Sequence, residues 1–291
     1  MHSSRLVALS GIAQRAALSA GALMCAALED KLSVRYKRGA DCLEAGIVTA
    51  TDLACDARIR ELLIPHCEGD IAILSEETAD DGERLRKPYF WCIDPIDGTL
   101  AYSQGKAGCA VAIALLSREG QPLLGVIYDP IKDTLYSAIK EQGAFRNQCR
   151  WHLTEPGGGY LTVPVESYFL AQPEAGDVLQ LLEQWAIGHG YRGLNLLRDG
   201  GSVMSALWVA ENPAACYFKW PTVSVGRGSS WDFAASSCIL SELGVPIVDF
   251  DGVTPTFNRP ETTDIDGRGL LVCTDPAVAA YLTACPASTS A

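Results

Sequence analysis

The apolar run Tyr89-Phe90-Trp91-Cys92-Ile93 passes straight into Asp94-Pro95-Ile96-Asp97-Gly98-Thr99, and no other stretch of the chain narrows its fold as much. A short apolar run bounded by turn formers reads as a buried strand end, so the two acids are expected where that strand breaks into a loop. Pro95 fixes its own φ and has no N–H, which stiffens the turn between them. Gly98 lets backbone approach a ligand closely. Two like charges about 4 Å apart cost on the order of 4 kcal/mol at an effective dielectric near 20. A rigid loop that holds them together therefore expects a cation, and oxygen-only ligands suit a hard one such as Mg²⁺. As local structure alone, the same stretch is a solvated turn, because Asp-Pro and Asp-Gly are common turn dipeptides.

Three further acidic stretches share this character. Ile71-Ala72-Ile73-Leu74 is a short apolar strand ending in Ser75-Glu76-Glu77-Thr78, one hairpin-like connection before Asp94. Val48-Thr49-Ala50-Thr51-Asp52 opens an amphipathic helix, with Leu53, Ala57, Ile59, Leu62 and Leu63 near helical spacing. Thr51 or Asp52 is equally the N-cap of that helix. Ser230-Trp231-Asp232-Phe233-Ala234-Ala235 starts another helix, whose apolar face continues through Cys238, Ile239 and Leu243 to a stop at Gly244. Asp232 is equally a helix-start acid that favours the macrodipole. Cys92 is the one cysteine inside these stretches, and it is expected to alternate away from the acids as a small core residue.

In this order, the strings Thr-Ala-Thr-Asp, Ser-Glu-Glu-Thr, Asp-Pro-Ile-Asp-Gly-Thr and Trp-Asp-Phe-Ala-Ala resemble the inositol monophosphatase family of metal-dependent phosphatases. The wider superfamily takes in fructose-1,6-bisphosphatases and 3′(2′),5′-bisphosphate nucleotidases. The resemblance runs from Val48 to Gly244, and it includes Leu124 to Pro130, Leu135 to Ala138 and Gly143 to Asn147 as the strand and hairpin that follow the acidic loop. It implies an α+β or α/β fold, the layered αβαβα sandwich of this superfamily. It also implies two or three Mg²⁺ ions. Glu76, Asp94 and the Ile96 carbonyl would hold one; Asp94, Asp97 and Asp232 would hold a second. Glu76 with Thr99 would orient and deprotonate the attacking water. Asp52 would complete that network and help hold a weaker third ion. Asp97, Gly98 and Thr99 would face the phosphate, the last two through their N–H groups, while Glu77 supports the ligands without being one. Asp97 is thus expected to serve the metal rather than the core. Lithium sensitivity and a homodimer are further implications. The chemistry is consistent: a phosphate monoester is anionic and resists an anionic nucleophile, and paired metal ions neutralise it while activating water and leaving group.

Substrate identity is less determined. Gly201-Ser202-Val203, following Arg198, resembles the family's substrate loop, and Ser202 is also a candidate N-cap. Inositol-specific members place a Glu seven residues before the last metal-binding Asp, where this chain has Val225. The segment from Lys219 to Ser230 is longer and more basic than usual, which makes Lys219 and Arg227 substrate candidates or else members of a solvated loop. Three functions stay open: an inositol monophosphatase-like phosphomonoesterase, a 3′(2′),5′-bisphosphate nucleotidase, and a catalytically silent binding homologue. The intact Glu76, Asp94, Asp97, Thr99 and Asp232 argue against the last.

The 291 residues carry a formal net charge of −12. A nucleic acid polymer is therefore an unexpected partner, because phosphate contacts need clustered Lys and Arg. A small phosphorylated metabolite is the expected one. No run of about 18 or more uncharged apolar residues occurs, so no membrane span is expected. Eleven scattered cysteines without a Cys-x-x-Cys pair fit buried thiols in a reducing cytoplasm. Periodicity predicts helices over 5–30, 51–63, 177–188, 202–211, 231–243 and 276–284, and strands over 71–75, 89–94, 109–117, 122–128 and 134–139. Pro156-Gly157-Gly158-Gly159 marks the expected boundary between an N-terminal lobe (1–155) and a C-terminal lobe (156–291).

Overall fold

The computed structural model describes residues 1–38, 44–155, 159–212, 214–221, 228–265 and 267–284, with the side chains of 31–49 excepted. Val225, Arg227 and the Pro156–Gly158 part of the expected lobe boundary lie outside the described residues. The first half runs α1 (Ser3–Arg38), α2 (Glu44–Leu63), β1 (Ile71–Ser75), β2 (Tyr89–Asp97), α3 (Thr99–Ser103), β3 (Ala110–Ser117), β4 (Pro122–Asp129), β5 (Thr134–Ile139), β6 (Gly143–Arg146) and β7 (Cys149–Arg150). The second runs β8 (Leu161–Pro164), α4 (Ser167–Leu170), α5 (Ala175–Gly188), β9 (Leu194–Leu197), α6 (Ser202–Glu211), β10 (Cys216–Lys219), α7 (Ser230–Glu242), β11 (Ile247–Val248), β12 (Leu270–Cys273) and α8 (Pro276–Ala284).

Period-two alternation along the strands separates the layers. In β3, Val111, Ile113 and Leu115 face one way, into a core shared with Leu9, Ala13, Ala16, Ala20 and Met24 of α1 and with Cys55 and Ile59 of α2. Ala110, Ala112, Ala114 and Leu116 face the other way, against α6 and α7. The seven strands β1 to β7 form one sheet in sequence order. Beyond α6 and α7 lies the three-stranded sheet β10-β12-β11. Tyr217, Leu270 and Val272 join the α6–α7 core, while Cys216, Phe218 and Leu271 face a third core with α5 and α8. The order is helix pair, large sheet, helix pair, small sheets, helices: the αβαβα sandwich.

Four local expectations are corrected. First, α2 begins at Glu44, so Thr51 and Asp52 lie inside it and cap nothing. Two β-branched threonines do not stop a helix, because propensity differences are only tenths of a kcal/mol per residue (roughly 0.7 at most for ordinary residues). Second, β1 and β2 pair in parallel, Ile71 opposite Tyr89, so the link between them is a crossover rather than a hairpin. Third, β2 does not break before the acids. It continues to Asp97, and its register on β3 shifts between Asp94 and Asp97. Pro95 cannot donate to a ladder and is accommodated at that irregularity. Fourth, the N-cap of α6 is Gly201, and Ser202 is its first helical residue.

The α1 segment Ser3–Asp30 is long and apolar enough by composition to cross a membrane, contrary to the expectation from uncharged runs. In the fold its inner face, from Leu6 through Ala13 and Ala17 to Met24, is buried against the sheet and α2.

Candidate metal centre

Strand β2 delivers Asp94 and Asp97, and the first turn of α7 delivers Asp232. Oxygens of these three carboxylates all lie within 4.8 Å of one another. Asp94 and Asp97 are buried. The Oδ1 of Asp94 is buried without a hydrogen-bond donor among the described residues, and its carboxyl lies against those of Glu76 and Asp232. Cys92 shares Asp94's face of the strand, two residues back, and so does not alternate away from the acids. It is nonetheless the small core residue expected there.

Electrostatics make the cluster costly without a counter-ion. Burial, then Glu76, Asp97 and Asp232 in turn, holds the Asp94 carboxyl well above the usual range. Burial, then the Asp232 charge, does the same for Asp97. Asp232 is raised by burial, and Lys219 opposes the shift. Glu76 is exposed as a residue, yet withdrawal of its carboxyl from water and the Asp232 charge push it up to about 7. Asp52, buried in α2, is pushed up to about 7 by burial and then by Glu77 and Glu76. A set of buried oxygens with an orphaned Oδ1 and several unwanted protons fits a hard divalent cation.

The expectation that Asp97 serves a metal rather than the core is incomplete, because the residue also has a task in the fold. Its Oδ1 and Oδ2 accept the N–H groups of Ser202 and Val203, each at 3.0 Å, so it caps α6. Asp232 likewise has a local task, accepting the Ser229 N–H at 2.7 Å in a capping box. Two glycines permit this crowding. Gly98 sits at φ 74°, and a Cβ there would lie 2.5 Å from the Gly108 carbonyl oxygen. A Cβ on Gly201 would strike the Asp97 carboxylate.

The predicted substrate residues are differently placed. The Gly201 N–H donates to the Gly108 carbonyl at 2.8 Å, and those of Ser202 and Val203 are taken by Asp97. The Ser202 hydroxyl donates to Glu166 Oε1 at 3.2 Å. Lys219 is not in a solvated loop: its Nζ donates to Glu166 Oε2 at 3.0 Å and lies 5.6 Å above the Phe233 ring. Thr99 is exposed, and its hydroxyl donates to the Ile96 carbonyl at 3.3 Å. Asp94, Asp97 and Asp232 thus converge with Glu76, and the Glu76 charge acts on Asp52 of α2.

Sequence reasoning missed Glu166. Ser202, Tyr217 and Lys219 all donate to it, so it ties α6 to β10 beside the acidic cluster. The signal was present, since an acid directly after the apolar Leu161–Val165 stretch repeats the pattern that marked Glu76. Glu166 and Lys219 also line a pocket with Tyr168, Phe169, Phe218 and Trp220.

A model of the inositol monophosphatase family matches residues 6–284. The chain is 27% identical over 251 residues to inositol monophosphatase 1 of Solanum lycopersicum, covering 83% of this chain and 84% of that one. It is 30% identical over 214 residues to the 3′(2′),5′-bisphosphate nucleotidase CysQ of Escherichia coli O6:H1, covering 70% and 77%. The crystal structure of inositol monophosphatase II from Staphylococcus aureus MSSA476 superposes with a TM-score of 0.73 at 22% identity, over 97% and 96% of the two chains. The match spans both halves of the fold and every element that carries the acidic cluster, so the chain belongs to the inositol monophosphatase family of metal-dependent phosphatases.

Proposed function

We propose that the chain is a Mg²⁺-dependent phosphomonoesterase that hydrolyses an inositol monophosphate-like metabolite with an activated water. The observation that carries this reading is the convergence of Asp94, Asp97 and Asp232 around a buried, unpartnered carboxylate oxygen. Asp94, Asp97 and Asp232 would hold one ion, and Glu76, Asp94 and the Ile96 carbonyl another. Such ions supply charge neutralisation, a more acidic water and a stabilised leaving oxygen. The protein's own share is positioning. Glu76 and Thr99, both open to solvent, stand where a water can reach them, and Asp52 backs Glu76 from α2. The Ser202 and Val203 N–H groups fix the rotamer of Asp97. No side chain is needed as a nucleophile. Phosphate release from inositol 1-phosphate that needs Mg²⁺ and stops with a chelator supports the reading; turnover unaffected by the chelator removes it.

One observation favours a second reading, the bisphosphate nucleotidase. Tyr168, Phe169, Phe218 and Trp220 line one pocket together with Glu166 and Lys219. Aromatic walls suit a nucleobase, and base–aromatic stacking is worth about 1–3 kcal/mol per base. Comparison of kcat/KM on inositol 1-phosphate and 3′-phosphoadenosine 5′-phosphate decides between the two. Under the second reading, Trp220→Ala lowers only the nucleotide's value.

A further inference from the structure

The small sheet carries a pair of groups that phosphate hydrolysis does not use. β10 and β12 run antiparallel with Cys216 directly opposite Cys273. The Thr274 N–H donates to the Ala215 carbonyl at 3.0 Å, which makes the neighbouring Cys216–Cys273 pair the non-hydrogen-bonded kind. That is the closer of the two cross-strand geometries, with Cα atoms about 4.5 Å apart. A disulfide accepts Cα separations of about 4.4–6.8 Å. Alternation sends both side chains to the same face, towards α5 and α8. The neighbouring Cys273 thiol, with burial, holds the Cys216 thiol well above its usual range. By contrast, Cys25, Cys55, Cys67, Cys109 and Cys238 each direct their sulfur to a backbone carbonyl. Cys216 is fully buried, whereas Cys273 is partly exposed.

We propose that Cys216 and Cys273 are a modification site: a dithiol that closes into a reversible cross-strand disulfide by exchange with a small-molecule disulfide such as oxidised glutathione. Exposure fixes the order of events. The Cys273 thiolate attacks one sulfur of the glutathione disulfide; that S–S bond breaks, and the first glutathione leaves as a thiolate. The Cys216 sulfur then attacks the Cys273 sulfur of the mixed disulfide. The second glutathione departs and takes the Cys216 proton. Two protein thiols are oxidised and one disulfide is reduced to two thiols. The new bond closes a loop that contains α7 and Asp232. It also fastens the strand that ends at Lys219, the residue that holds Glu166.

The test incubates the folded full-length protein with oxidised glutathione, alkylates the remaining thiols, and maps the digest by mass spectrometry. A linked Cys216–Cys273 peptide pair is expected, about 2 Da lighter than the two separate peptides. The oxidised protein should melt higher than the same sample in dithiothreitol, because the closed loop constrains the unfolded chain. Cys216→Ala should stall with glutathione retained on Cys273 and no rise in Tm. Cys273→Ser should leave Cys216 unmodified. The proposal is overturned if wild-type protein keeps glutathione on Cys273 beside a free Cys216, or if either cysteine links elsewhere.

Discussion

Asp94 and Asp97 lie three residues apart on one strand, and the fold asks different things of them. Asp94 has an orphaned Oδ1, and its carboxyl meets two other acids. An amide at that position carries no charge and offers two N–H donors, where a protonated Asp94 offers only one O–H. Asp94→Asn is therefore expected to lower kcat/KM by more than about 100-fold, since losing even a supporting partner of a metal ligand costs 10–100-fold. In EDTA it should melt above the wild type. Asp97→Asn should be equally inactive, but it gives up one of the two caps on α6, at about 1 kcal/mol. Its melting temperature in EDTA should therefore lie below that of Asp94→Asn. Thermal scans of the three proteins in EDTA check this, and an Asp94→Asn variant less stable than wild type would contradict it. A second residue-scale expectation concerns Glu166 and Lys219, a mostly buried pair. Glu166→Gln should cost roughly 1–3 kcal/mol, the range for stranding a buried polar partner. The same change made in Lys219→Met should cost clearly less, because the partner it would strand is gone. Urea unfolding of the four proteins in the cycle reads this directly; additive losses would show that the pair is not coupled.

At the scale of elements, the acidic cluster depends on how closely the end of β2 and the start of α6 approach. Gly201 lies against the Asp97 carboxylate, so Gly201→Ala must push that carboxylate away. Overpacking of this kind costs about 1–3 kcal/mol. The variant should need more Mg²⁺ for half-maximal activity, and a Mg²⁺ titration of phosphate release checks it; an unchanged midpoint would separate Gly201 from the metal centre. The elements themselves were largely legible, because hydrophobic period marks them: the expected strands and helices of the first half and α5 to α8 all have counterparts. What periodicity cannot carry is partnership. Nothing in Ile71–Leu74 says that its neighbour runs parallel, and nothing around Thr51 says that the helix began at Glu44. The acids were legible as a set because like charges beside a proline and a glycine demand an explanation. Glu166 carried the same local signal, but its role was not legible, because that role exists only through Ser202, Tyr217 and Lys219, which lie 36 to 53 residues away. The double duty of Asp97, in the cluster and at the start of α6, also appears only in three dimensions.

For the whole molecule, the crowded carboxylates couple stability to pH. Glu76 and Asp52 are pushed up to about 7 in the fold, against about 4 in an unfolded chain. Between those values the folded state binds more protons than the unfolded one. The contribution is therefore fully present below pH 4 and is lost as pH rises through 7. Asp70 works the other way. Its hydrogen bonds from Arg5 lower its pKa, so its contribution is lost only on acidification below the usual carboxylate range. The metal-free protein should thus melt lower at pH 8 than at pH 5. Saturating Mg²⁺ should shrink that difference, because a cation bound only to the folded state stabilises it by mass action. Thermal scans with EDTA or Mg²⁺ across this range check it, and a metal-free protein that grows more stable from pH 5 to pH 8 would refute the assigned cluster charges.

The central claim is that three acids from two distant elements make a metal-dependent phosphatase, and one titration tests it most directly. Phosphate release from inositol 1-phosphate and from 3′-phosphoadenosine 5′-phosphate is followed as Mg²⁺ is added to wild-type protein and to folded Asp94→Asn. The account predicts saturable, Mg²⁺-dependent turnover of at least one substrate by the wild type, and a loss of more than about 100-fold in the variant. Turnover that is independent of metal, or that survives in Asp94→Asn, would contradict it.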